Sequence, residues 1–114
     1  MFDGIYSMTF RGHADWGMGM LIIQGGVITG ADVAGGLYDG VYEQQGSDLL
    51  VTLTMTVPPG VALVQGTPAQ PKQYSFPIQT KLPARCLLEG EVALLELPPG
   101  PVNVIFRRLR TLST

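Results

Sequence analysis

A few side chains in this 114-residue sequence have the chemistry needed for catalysis or metal binding. His13, the single histidine, lies two positions before Asp15, and a carboxylate at that spacing could orient the imidazole as a general base. A local hydrogen bond within the turn is the alternative interpretation of this pair. Glu89 and Glu91 flank Gly90 either as a catalytic carboxylate pair or as two solvated acids beside a turn.

The remaining reactive groups are a cysteine and an aspartate. Cys86 is the only cysteine, which excludes an intramolecular disulfide and a zinc site built on cysteines. Arg85 could lower the pKa of its thiol, although a lone cysteine also serves as inert packing. Asp32 follows a predicted strand and is expected to hydrogen-bond the turn backbone. Because the sequence has no nucleophile elbow and no phosphate-binding loop, we expect no catalytic residues, no metal site and no cofactor.

The elements that position these residues have the two-residue period of β-strands. Thr52, Thr54 and Thr56 alternate with apolar neighbours until residues 58–60 (PPG) end the strand. Further strands are predicted at residues 6–11, 18–22, 27–29, 37–44, 72–79, 92–97 and 102–109. About eight short strands with regular turn signals predict one all-β domain over residues 1–114, a sandwich or barrel.

Two segments are ambiguous in this pattern. Pro77 lies within a predicted strand, and because proline cannot donate to a ladder we expect that strand at an edge or with a bulge. Residues 82–90 are compatible with either a helical turn or an extra strand.

Three predicted strands are apolar at successive positions and so on both faces, at residues 20–23, 92–95 and 102–106. A strand that faces water on one side alternates, whereas one buried on both sides does not. This pattern predicts a homodimer with an apolar sheet face as its interface. The alternative is the ordinary exposure of some apolar surface.

A barrel of about eight strands is either filled by its side chains or holds one small ligand. Glycines at positions 17 and 19 leave space inside, and methionines form adaptable apolar walls that suit acyl chains. A ligand cavity is therefore predicted with its mouth near Trp16 and His13. Its predicted lining is Tyr6, Met8, Phe10, Met18, Met20, Leu53 and Met55.

Charge and targeting signals limit the partners further. The net charge of −2 and the isoelectric point near 5.1 disfavour nucleic-acid binding through bulk electrostatics. The uncharged run at residues 49–71 is interrupted by several prolines, and the first residues lack the features of a signal peptide. We therefore expect no membrane span and a cytoplasmic location.

Four stretches of the first half carry a resemblance to a known family. They are residues 3–7 (DGIYS), 21–23 (LII), 26–34 (GVITGADVA) and 38–40 (YDG). In order and spacing they are similar to the GrlR family of small negative regulators of bacterial type III secretion genes. The resemblance implies a non-catalytic, lipocalin-like β-barrel that forms a homodimer, sequesters a transcriptional activator and accommodates a lipid-like molecule.

The sequence departs from this family at the loop that the family uses for activator recognition. There the characterised regulator has an acidic run, Glu-Asp-Glu-Asp, whereas residues 45–48 here are QGSD, so that Asp48 alone keeps the charge. The loss weakens electrostatic steering toward a basic partner. Two functions remain, a bacterial regulator that binds a protein partner and a carrier or sensor of an apolar ligand. The predicted partner-binding residues are Glu43, Gln45, Ser47 and Asp48.

Overall fold

The computed structural model describes residues 2–112, which form eight β-strands and one helical turn. In chain order the elements are β1 (Gly4–Arg11), β2 (Trp16–Gln24), β3 (Val27–Asp32), β4 (Leu37–Gln45), β5 (Asp48–Val57), β6 (Tyr74–Pro83), α1 (Arg85–Leu88), β7 (Ala93–Leu97) and β8 (Gly100–Thr111). The prediction of an all-β chain with about eight strands is confirmed.

The strands form one antiparallel sheet in the order β6-β5-β4-β3-β2-β1-β8-β7. β1 pairs with β2 on one side and with β8 on the other, which closes most of the circle. β6 and β7 then lie side by side, although no ladder joins them in the part of the chain described. The fold is therefore a nearly closed barrel, the second of the two architectures that the strand pattern allowed.

The sequence pattern of β5 determines its two faces. Val51 and Val57 are buried inside the barrel, whereas Thr52 and Thr54 point outward. β6 pairs with β5 and is the last strand at one edge of the sheet. An edge position was predicted for this strand because it contains Pro77. The ambiguous stretch that follows it folds as the helical turn α1.

The inward face of β2 differs from the prediction. Met18 and Met20 are about half-exposed on the outer face, and Gly17 and Gly19 occupy the inner one. Gly17 pairs with Phe10, and a Cβ at position 17 would lie 2.6 Å from the Phe10 ring. The large side chains of β1 fill the space beside β2, so glycine is required there and the methionines are displaced to the outside.

The barrel has two different ends. Its closed end consists of Phe2, the turns at residues 25–26 and 46–47, and α1, while its open end consists of the connections at residues 12–15, 33–36 and 58–73. At the closed end Tyr6 is fully buried and its hydroxyl donates to the Phe2 carbonyl oxygen at 2.6 Å. Cys86 and Leu87 of α1 are buried in the same core.

Candidate ligand cavity

A cavity of about 240 Å³ lies inside the barrel. Inward side chains from all eight strands line it, together with Leu87 of α1 and part of the 58–73 connection. Most of these side chains are aliphatic or aromatic, among them Leu21, Ile28, Val51 and Ile78. The cavity is thus an apolar compartment enclosed by the sheet.

The structure places five of the seven predicted lining residues at this cavity. Those five are Met8, Phe10, Met18, Leu53 and Met55. Tyr6 lies outside the lining because it is packed into the closed end, where its hydroxyl has a backbone partner. Met18 and Met20 are both about half-exposed on the outer face of β2. Met18, which is nearer the open end, still borders the cavity, whereas Met20 does not.

The connection at residues 58–73 forms a cover over part of the open end. Leu63 is buried, and the Val64 carbonyl oxygen accepts hydrogen bonds from the backbone N–H groups of Ala14 at 2.8 Å and Asp15 at 3.1 Å. A Cβ at Gly12 would lie 2.4 Å from that same oxygen, so glycine permits the close approach. The sequence prediction missed this cover, although the apolar run at residues 61–64 was a signal for it.

The mouth contains Trp16 but not His13. Trp16 borders the cavity, whereas His13 is exposed and does not contribute to its lining. The Asp15 carboxylate accepts a hydrogen bond from the Trp16 backbone N–H at 2.8 Å. This local turn contact, which does not involve His13, agrees with the structural interpretation of the His13–Asp15 pair. Within residues 2–112, no group of three or more His, Cys, Asp or Glu side chains is placed to hold a metal ion.

Asp32 and Tyr38 form a polar pair at the open end of the cavity. The Tyr38 hydroxyl donates to Asp32 Oδ2 at 2.6 Å, and both residues line the cavity. Asp32 Oδ1 accepts from the backbone N–H groups of Ala34 at 3.1 Å and Gly36 at 2.8 Å, which confirms the predicted turn role. Burial raises the pKa of Tyr38 strongly, and the hydrogen bond to Asp32 and its negative charge raise it further. Tyr38 therefore stays protonated as a donor at neutral pH.

The cavity has a clear charge bias. Asp15 and Asp32 are the charged side chains among the described residues that line it, and that lining includes no lysine, arginine or histidine. Both carboxylates lie at the open end, and the opposite end is apolar. The compartment therefore has an acidic mouth and an apolar interior.

The predicted partner-binding loop lies at the closed end, opposite this mouth. Glu43, Gln45 and Ser47 are exposed, and the Ser47 carbonyl oxygen accepts a hydrogen bond from the Ala84 backbone N–H at 2.8 Å. Asp48 forms an ion pair with Lys81, with 3.7 Å between Oδ2 and Nζ. The acid of the 45–48 segment thus has a partner within the barrel, whereas Glu43 is exposed.

Cys86 does not have the environment of an activated thiol. It is buried, and burial raises the pKa of the thiol, with Glu91 adding to that shift and Arg85 opposing it. Arg85 also forms an ion pair with Glu91. Among the two interpretations of this cysteine, the structure therefore favours inert packing.

The outer surface of the barrel is apolar on one wall and polar on another. The apolar wall, centred on β2, consists of Trp16, Met18, Met20, Ile22, Val27, Leu37 and Val41. The polar wall, on β5 and β6, consists of Thr52, Thr54, Thr56, Ser75 and Gln79. The outer surface of the barrel is thus uneven in polarity.

Comparison with protein-family models gave no match, and comparison with curated proteins gave none either.

The described residues include no helix that is long and apolar enough to cross a membrane. The cavity and the apolar wall are therefore the features from which a function can be inferred.

Proposed function

We propose that this protein binds a small apolar molecule inside its barrel, as a carrier or sensor. The observation that supports this proposal is the apolar cavity of about 240 Å³ inside the barrel. Since a cavity of about 150 Å³ accommodates benzene, this one has room for roughly ten non-hydrogen atoms. An alkyl chain of about eight carbons with a small polar end has that size.

Burial of such a chain contributes favourable free energy to binding. Each buried methylene contributes about 0.8 kcal/mol, so eight contribute about 6 kcal/mol before the cost of association. The lost translational and rotational freedom reduces the net value. We therefore expect single-chain ligands to bind weakly, with an affinity that rises with each methylene added up to about eight carbons.

Filling the cavity should weaken this binding. Leu53 lines the cavity, and Leu53→Trp places a larger side chain in it, so we expect at least a tenfold weaker affinity for 1-octanol in calorimetric titration. Thr54→Trp is the matched control because residue 54 lies on the outer face of the same strand. Equal affinity in the two variants, or no binding by the wild type, would contradict the proposal.

We further propose that the apolar wall is the interface of a homodimer. In a two-fold dimer the same patch covers its own copy, so one apolar face is sufficient for both subunits. This face has seven exposed apolar side chains on three neighbouring strands, with Thr29 and Asp39 among them, and the polar wall has no comparable set.

A charge in the centre of this interface should separate the subunits. We expect wild-type protein to sediment at twice 12.2 kDa at micromolar concentration and Met20→Glu to sediment as a monomer, because a buried unpaired carboxylate is costly. Gln79→Glu, on the polar wall and one strand further from the interface, should remain dimeric. A monomeric wild type would rule out this interface.

The regulatory role implied by the resemblance to the GrlR family stays a prediction, as does the cytoplasmic location. The loop at Glu43, Gln45 and Ser47 is accessible to a protein partner such as a transcriptional activator. However, Asp48 forms an exposed ion pair with Lys81, so a partner would meet a paired rather than an isolated carboxylate there. Ligand binding is therefore the function that the geometry supports best.

A further inference from the structure

We infer that the molecule bound in the cavity has a polar end that donates hydrogen bonds, as an amine or an alcohol does, rather than a carboxylate. This inference rests on the proposed ligand binding. It concerns the chemistry of the mouth, whereas the proposed function concerns the apolar interior.

The charges around the cavity oppose an acidic ligand. Asp15 and Asp32 at the mouth are carboxylates, and no cation is present in the described lining to pair with a bound acid. A ligand carboxylate held here would lose water and face two like charges, which is unfavourable in a partly enclosed site. A neutral hydroxyl avoids this cost, and an ammonium group gains an attraction.

Asp32 has acceptor capacity beyond its contacts within the protein. A carboxylate has about four acceptor positions, and the donors from Ala34, Gly36 and Tyr38 occupy three of them. Glycine at position 36 permits the close approach of this carboxylate, since a Cβ there would lie 2.5 Å from Oδ2, and Asp32 is part of the cavity lining. A ligand O–H or N–H can therefore complete the hydrogen bonding of this carboxylate.

The hydrogen bonds within the protein also fix the direction of the carboxylate. Two backbone donors hold Oδ1, and the Tyr38 hydroxyl, protonated at neutral pH, holds Oδ2. The site is thus preorganised, and a ligand would bind with its polar end at Asp32 and its chain toward the apolar closed end.

Three ligands with the same chain and different polar ends test this inference on the wild-type protein. In calorimetric titrations at neutral pH we expect octylamine to bind most tightly, 1-octanol next, and octanoate roughly tenfold or more weaker than 1-octanol. Octanoate binding as tightly as the other two would overturn the inference while leaving the carrier proposal intact. Failure of all three to bind would overturn the carrier proposal itself.

Single substitutions test whether the carboxylates at the mouth cause the preference for octylamine over octanoate. Asp32→Asn should reduce the preference for octylamine over octanoate several-fold, because it removes one carboxylate from the site. Asp39→Asn removes the same charge from the exposed outer face of β4 and should leave the preference unchanged.

Asp32→Asn could alter the turn at residues 33–36 as well as the charge, so a second variant at the mouth is needed. Asp15→Asn lies outside that turn and should also lower the preference. A preference that persists in both mouth variants, or one that falls equally in Asp39→Asn, would overturn the role of the mouth carboxylates.

Discussion

Replacing Tyr6 with alanine is expected to lower the free energy of unfolding by about 3–5 kcal/mol. Tyr6 is fully buried in the closed end, so truncation leaves a cavity that the rigid strands around it cannot fill. It also removes the hydroxyl that holds the Phe2 carbonyl oxygen. Because a domain of this size is stable by only about 5–15 kcal/mol, this variant should be close to unfolding.

Tyr6→Phe separates the two contributions. It keeps the ring and removes the hydrogen bond, which should cost about 1–2 kcal/mol. Urea denaturation followed by circular dichroism measures both values, and Thr54→Ala on the exposed face should change stability by less than about 0.5 kcal/mol. Equal losses for the alanine and phenylalanine variants would show that ring packing contributes nothing at this position.

The second large effect is expected at Asp32. Asp32→Ala removes the acceptor of three hydrogen bonds and should destabilise the protein by about 2–4 kcal/mol, since the part-buried Tyr38 hydroxyl loses its partner. Tyr38→Phe alone should cost about 1 kcal/mol, because Asp32 keeps its two backbone donors.

A double-mutant cycle isolates the contact between the two side chains. If the hydrogen bond between Tyr38 and Asp32 contributes to stability, the double variant should lose less than the sum of the single losses in urea denaturation. Asp39→Ala, exposed on the same strand as Tyr38, should leave stability nearly unchanged. Strictly additive losses would mean that the two side chains act independently.

A strand could be predicted from the sequence, together with its inward face, when its two faces differ clearly in polarity. Thr52 and Thr54 alternate with large apolar residues, so both the strand and its outward face could be predicted. β2 has apolar side chains outside and glycines beside leucine and isoleucine inside. Hydrophobicity alone therefore could not determine which of its residues point into the barrel. The inward face of β2 depends on the Phe10 ring, which lies opposite Gly17. This is a contact between two strands, so the pattern of a single strand does not contain it.

The candidate site was partly predictable for a related reason. The turn role of Asp32 is local and follows from its position after a strand, as the bonds to Ala34 and Gly36 confirm. Its contact with Tyr38 depends on the register of the β3–β4 hairpin, in which Gly30 opposes Tyr38. The cover formed by residues 58–73 was missed because its position depends on backbone hydrogen bonds to the distant 12–15 connection.

The ladder between β1 and β8 has a consequence for how the chain folds. Within residues 2–112, every other ladder joins strands that are consecutive in the chain, whereas this one brings Gly4 opposite Thr111. The hairpins between consecutive strands close connections no longer than the one at residues 58–73, but this pairing must close a loop of roughly a hundred residues. The entropic cost of completing the circle is therefore concentrated in one long-range step that unites the first and last strands.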